Sequence, residues 1–387
     1  MRTLEIFTGT GGLAKGLEMA GLEHATFVEF NRYACLSLGK NFGDKHVYFG
    51  DIKDFDLSSV GNVDVVAGGP PCQPFSLGGK HKANHDNRDM FPYAIRSIEA
   101  LRPKTFVFEN VKGLLRSSFS DYFEYIILRL SYPSNKIKKN EEWQEHLLSL
   151  RIIHDKKKVE PEYIVKYKLL NAADYGIPQT RERVFIVGFR SDLKVDYTFP
   201  KQTHSEDRLL WDMFVTNEYQ KRHNLKVPQR NTATLHTRKQ IDYIEQKYSM
   251  FEPECKPWQT IRDTLWDVPD PRENHGIWDH IFRDGARTYP GHTGSAFDWP
   301  AKTIKAGGHG VPGGENMIAY DNGTVRYLTV FEAKRIQTFP DDFIIIGAWG
   351  EAMRQIGNAV PVVLGKIIGK SLINELTVFN NALRLAG

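Results

Sequence analysis

Cysteine is scarce in this sequence: there are three, Cys35, Cys72 and Cys255, far apart from one another. That excludes a disulfide framework and a zinc site built on clustered thiolates, and it fits a reducing compartment. No run approaches the roughly 18 consecutive apolar residues of a membrane helix. The opening Met1-Arg2-Thr3-Leu4-Glu5-Ile6-Phe7 has no signal-peptide core. A cytoplasmic protein with no membrane contact and no bound metal is expected. Charge of one sign is also lacking: 51 basic against 47 acidic residues leave +4, a balance that permits a nucleic-acid partner without demanding one. No internal repeat is present. What remains is ordinary globular composition, 41% hydrophobic and 25% charged over 387 residues, enough for about two to three domains.

The first part of the chain alternates short apolar runs with helical patterns. Leu4 to Phe7, Ala25 to Phe30, Val47 to Phe49, Val63 to Ala67 and Thr105 to Phe108 read as strands, followed by Tyr163 to Leu170 and Arg183 to Phe189. Seven such runs predict an α/β domain with a doubly wound, mostly parallel sheet over residues 1–199. Within it, 131–160 is a charged stretch with Lys136, Lys138, Lys139, Lys156, Lys157 and Lys158, expected as a solvated insertion, with phosphate contact as the alternative. Past Pro200 the alternation stops, and 200–325, rich in His, Trp, Arg and Gly, reads as a smaller, irregular domain. Residues 326–387 turn helical again. Leu364, Ile367, Ile368, Leu372 and Ile373 form a stripe after Pro361 that should pack back on the first domain.

The chemistry-bearing residues cluster where strands end. Phe7-Thr8-Gly9-Thr10-Gly11-Gly12 follows the first strand and opens a helix, where glycines allow close backbone approach and the helix start favours negative charge. Taken singly, it fits a bare strand-to-helix turn as well as a nucleotide site. Glu29 ends the second strand, where a carboxylate can accept ribose hydroxyls, and Asp51-Ile52 ends the third, where it can accept from an adenine amino group. Together they outline an adenosine pocket. Gly68-Gly69-Pro70-Pro71-Cys72-Gln73-Pro74-Phe75-Ser76 follows the fourth strand, a stiff and polar turn that suits an inert buried cysteine poorly. Glu109-Asn110-Val111 ends the fifth strand beside it, and Gln179-Thr180-Arg181-Glu182-Arg183 leads into the seventh.

These blocks, in this order, resemble the DNA cytosine-5 methyltransferase family, of the kind found in bacterial restriction-modification systems. Arg335-Ile336-Gln337-Thr338-Phe339-Pro340 and Gly357-Asn358-Ala359-Val360-Pro361 resemble its two closing blocks. The resemblance implies S-adenosyl-L-methionine as methyl donor, leaving S-adenosyl-L-homocysteine. It would be held by Phe7, Thr8, Gly9, Gly11, Gly12, Glu29, Asp51, Ile52, Pro70, Asn358, Ala359 and Val360. It implies double-stranded DNA as partner, flipping of the target cytosine, a cognate endonuclease and a monomeric enzyme. Cys72 would be the nucleophile adding to ring carbon 6, Glu109 the acid at ring nitrogen 3, and Arg181 the holder of the ring oxygen, with Arg183 in the same block. Gln73 and Ser76 would support the opened strand. Asn358 can at the same time cap a helix entry before Pro361.

Two features depart from the family. Asp89, in Asp86-Asn87-Arg88-Asp89-Met90-Phe91, stands where glycine is common, so the hinge of the Cys72 loop should differ. The long spacing from Glu109 to Arg181 locates the insertion. Residues 200–325 would read bases through Arg, Lys, Asn and Gln, with Lys221 to Lys239 and the glycine-rich Gly307 to Gly314 as contact surfaces, or as solvated loops. Two other readings compete: a tRNA cytosine-5 methyltransferase, against which the long region after Arg183 speaks, and a non-catalytic DNA-binding module, which would need none of Cys72, Glu109 and Arg181.

Overall fold

The computed structural model describes residues 1–71, 89–157, 159–227, 234–249, 251–306 and 316–386. The chain divides into two compact units. One comprises Met1–Leu170, Glu182–Pro200 and Asp342–Gly387, the other Asn171–Arg181 and Lys201–Asp341.

The seven apolar runs are the strands of the first unit: β1 (Arg2–Ile6), β2 (Glu23–Glu29), β3 (Val47–Phe49), β4 (Val65–Gly68), β5 (Thr105–Val111), β6 (Tyr163–Asn171) and, after the two-residue β7 (Gln179–Thr180) of the second unit, β8 (Glu182–Arg190). They form one sheet in the order β3-β2-β1-β4-β5-β8-β6. The five strands β1 to β5 run parallel, and β8 lies antiparallel to β5. Val65, Val66 and Ala67 are fully buried, as expected for a central parallel strand covered on both faces. Helices α1 (Gly12–Ala20) and α2 (Arg32–Phe42) set Ala14 and Leu38 on Phe27. On the other face, α3 (Phe91–Leu101) and α4 (Ser120–Ser131) bring Phe91, Ile95, Tyr122 and Phe123 to Leu4, Ile6, Val66 and Phe106. Strand order reverses between β1 and β4, so ligands are expected at the carboxyl ends there.

The charged stretch 131–160 is more than a solvated loop. Its middle is α5 (Trp143–Asp155), which buries Leu147 and Leu150 against Leu128 and Tyr132. Arg151 forks onto Glu124 at 2.9 and 2.6 Å and reaches Asp121 at 2.7 Å. Two leucines one turn apart suffice to dock a short helix, and the flanking lysines mask them in the sequence.

In the second unit, α6 (Glu206–Phe214), α7 (Glu218–His223) and α8 (Leu235–Tyr248) pack through Leu209, Met213 and Tyr219 and a neighbouring cluster on Ile244, while α9 (Ile261–Leu265) meets α10 (Val330–Ile336). Arg326 pairs with Glu332 at 2.5 Å, and the buried Lys334 with Asp279 at 2.7 Å. These ion pairs hold α10 in the second unit, so the return to the first begins at Asp342 rather than at 326.

Two helices complete the first unit, α11 (Trp349–Asn358) and α12 (Val362–Ala386). A Cβ on Gly16 of α1 would lie 2.4 Å from the Val362 carbonyl, so only glycine lets α1 and α12 come this close. The segment Trp349–Val378 is long and apolar enough for a membrane span by length and composition, but it is broken at Ala359–Pro361 and mostly buried. Leu364, Ile368 and Leu372 carry the buried stripe of α12.

Candidate active site

The turn after β1 is built on left-handed backbone. Phe7, Gly9 and Gly11 have φ of 53°, 59° and 94°, and Gly11 begins α1 with no side chain on its first amides. A Cβ on Gly9 would meet nothing within 4 Å, so open space lies over the turn. Glu29, at the end of β2, fastens this turn: Oε2 accepts from Gly9 N at 2.7 Å, and Oε1 from Phe30 N at 3.0 Å and Asn31 N at 2.8 Å. Burial pushes its carboxyl above the ordinary range, and the three amides pull it back. With three of about four acceptor positions used, one is left for a ligand hydroxyl. Sequence reasoning did not find the fastening, because backbone amides carry no sequence signal.

Gly50 N donates to the Glu29 carbonyl at 3.0 Å, which sets Asp51 beside the end of β2. Asp51 is exposed and accepts from Lys53 N at 3.0 Å. The Ile52 carbonyl is held by Arg96 at 2.6 Å. Phe30, next to Glu29, is 71% exposed, an apolar face that the sequence reading passed over although an aromatic next to Glu29 was its signal. Asn358 is the last residue of α11 and is exposed. It does not cap the entry to α12; Ala359 and Val360 intervene, both buried.

The acid lies one strand from the turn that leads to Cys72. Glu109 is 8% exposed. Its Oε1 receives Arg183 Nε at 2.8 Å, and a Cβ on Gly69 would lie 3.5 Å from Oε2. Register explains the partner: Glu109 faces Phe185 across β5 and β8, and Arg183, two residues along, projects to the same side. Glu182 points the other way and pairs with Lys112 at 2.7 Å. Asn110 donates to the Pro70 carbonyl at 2.9 Å, tying the acid's strand end to the approach to Cys72. On the far side, Met90 N donates to the Pro71 carbonyl at 3.2 Å.

Arg181 is fully buried in the second unit, with Nη1 donating to the Ile304 carbonyl at 3.1 Å and to Gln179 at 3.5 Å, while Gln179 bonds Gln337 at 3.1 Å. The arginine paired with Glu109 is Arg183. Arg222 and His223 pair with Asp263, at 3.1 and 2.8 Å, with Arg222 still exposed. Cys72, Gln73, Ser76 and the Gly307 to Gly314 loop lie outside the described residues.

Residues 1–132 and 144–374 match the model of the family described as C-5 cytosine-specific DNA methylase. The chain belongs to that family. Its relatives include the Type II methyltransferases M.NgoMIV of Neisseria gonorrhoeae, 30% identical over 97% of this chain and 97% of its own length, and M.Eco47II of Escherichia coli, 31% identical over 97% and 80%. Among solved structures, this methylase resembles a DNA modification methyltransferase from an Escherichia coli prophage, with TM-score 0.59 over 97% and 99% of the two chains at 19% identity. It also resembles the S. pombe Dnmt2 methyltransferase, with TM-score 0.54 over 98% and 99% at 16% identity. At such identities these two speak for the fold. As a cytosine-5 DNA methyltransferase, the chain methylates carbon 5 of cytosine in DNA.

Proposed function

We propose that the enzyme methylates carbon 5 of a cytosine flipped out of duplex DNA, through a covalent adduct on Cys72. The observation that carries this reading is the Asn110 bond to the Pro70 carbonyl, which joins the entry to Cys72 to the strand bearing Glu109.

The Cys72 thiolate adds to ring carbon 6 while Glu109 gives a proton to ring nitrogen 3, so that the electron pair collects at carbon 5. Arg183 orients the Glu109 carboxyl and is the arginine available to the ring oxygen. After carbon 5 is methylated and passes its proton to water, Cys72 departs as the thiolate and the proton on nitrogen 3 returns to Glu109. The other cysteine of the first unit does not suit the role: Cys35 is buried against the Glu29 carbonyl, and burial with the nearby Glu29 charge pushes its thiol up to about 12.

The residues present fit S-adenosylmethionine. The open turn at Phe7, Thr8, Gly9, Gly11 and Gly12, with Pro70, would take its methionine end, closed over by Asn358, Ala359 and Val360. Glu29 would take the ribose, and Phe30, Asp51 and Ile52 the adenine. Bound there, it supplies the electrophilic methyl group. Gln73 and Ser76 support the opened strand, and the second unit reads the sequence. The Type II names of the relatives support a companion endonuclease, with this enzyme a cytoplasmic monomer. Incubation with labelled S-adenosylmethionine and either duplex DNA or tRNA tests the reading: label enters DNA, and label in RNA alone overturns it.

A further inference from the structure

Asp89 departs from the glycine common in the family at the point where the chain returns from the segment carrying Cys72. Its Oδ1 accepts from Phe91 N at 3.2 Å at the head of α3, and its Oδ2 accepts a short hydrogen bond from the hydroxyl of Tyr122 on α4. Tyr122 is 7% exposed and lies edge-on to Trp143, with ring centroids 5.1 Å apart at 88°. Trp143 is the first residue of α5 and also packs on Tyr125 at 5.6 Å. The Tyr125 hydroxyl meets His146 Nδ1 at 3.0 Å, and His146 Nε2 meets Asn135 at 3.1 Å. Residues 133–143, which include Trp143, are the stretch between the two parts of the chain that the family model matches.

We infer that Asp89, Tyr122 and Trp143 are positioning residues for methyl transfer: the insertion braces Tyr122, and Tyr122 holds the exit of the Cys72 segment where glycine would leave it unheld. A glycine has no side chain to be held. An aspartate without Tyr122 would lose this bond to α4 and keep its local bond to Phe91. The inference rests on Cys72 being the nucleophile.

The test is a rate measurement on the full chain. Tyr122→Phe removes one hydroxyl and keeps the ring against Trp143, so the fold is retained. With saturating DNA and S-adenosylmethionine, its kcat should fall about tenfold, the scale of one hydrogen bond to a charged group. Cofactor Kd should stay within about twofold and Tm close to that of the parent. Asp89→Asn, which keeps an acceptor for Tyr122, should retain most of the rate. Asp89→Gly combined with Tyr122→Phe should be no worse than Asp89→Gly alone, since the bond that Tyr122→Phe removes is already lost there. An unchanged kcat in Tyr122→Phe, additive losses in the pair, or cofactor affinity and Tm falling in step with kcat would each overturn the inference. Cys72→Ser, run alongside, separates the two readings. If it is inactive while Tyr122→Phe is fully active, only the positioning role fails; if it is active, the nucleophile is wrong.

Discussion

Arg183 Nε lies 2.8 Å from Glu109 Oε1, both side chains almost wholly buried at the facing ends of β8 and β5. An arginine so placed fixes the carboxyl and, in the proposed mechanism, would bring positive charge to the ring oxygen. Arg183→Ala should lower kcat by about 10² or more, the scale of removing one donor from a preorganised site. Arg181→Ala should instead act mainly on stability, since its guanidinium serves the Ile304 carbonyl. Steady-state kinetics with thermal melts on both variants check this; a larger kcat loss in folded Arg181→Ala would reverse the assignment.

Asn110 holds the Pro70 carbonyl at 2.9 Å in a buried place. Asn110→Ala leaves that carbonyl without its amide, at a cost of about 1–3 kcal/mol. The loss should fall on methyl transfer, with S-adenosylmethionine affinity kept, because the Glu29 bond to the Gly9 turn is separate. Calorimetric titration beside single-turnover rates would decide; an equal loss of both would count against it.

Gly16→Ala should destabilise the first unit by about 1–3 kcal/mol, the usual range for overpacking. Its new methyl would lie 2.4 Å from the Val362 carbonyl at the start of α12. Urea denaturation measures it. A midpoint equal to the parent's would mean that α1 and α12 do not meet there.

Glu5 is 1% exposed, and Oε2 has no partner among the described residues. Burial pushes its carboxyl well above the ordinary glutamate value of 4.5, against one backbone bond from Ala14. The folded protein thus keeps a proton that the unfolded chain releases, and this group's contribution to stability is lost as pH rises past that value. Glu5→Gln removes the dependence. Between about pH 5 and about pH 8 the parent should lose more unfolding free energy than the variant; equal losses would show that Glu5 does not keep its proton.

Much of the fold was legible because buried parallel strands are continuous apolar runs: Val65 to Ala67 and Thr105 to Phe108 announce themselves. The strand-end residues were legible for the same reason, since Glu29, Asp51 and Glu109 are the first polar positions after such runs. What escaped depended on register and packing. Nothing in Arg181-Glu182-Arg183 says which arginine faces Glu109; the antiparallel pairing of β5 and β8 decides it. Helix α5 escaped because two buried leucines among lysines are a faint stripe, and Phe30 because an exposed aromatic looks like a strand residue until its exposure is seen.

The central claim is the covalent bond from Cys72. Duplex DNA with 5-fluorocytosine at the target site carries fluorine where a proton must leave, so the reaction should stop at the adduct. With S-adenosylmethionine present, the parent protein should form a complex that survives denaturation, one to one, with the DNA attached to the peptide containing Cys72, and Cys72→Ser should form none. An adduct in Cys72→Ser, or one mapped to Cys35 or Cys255, would contradict the account.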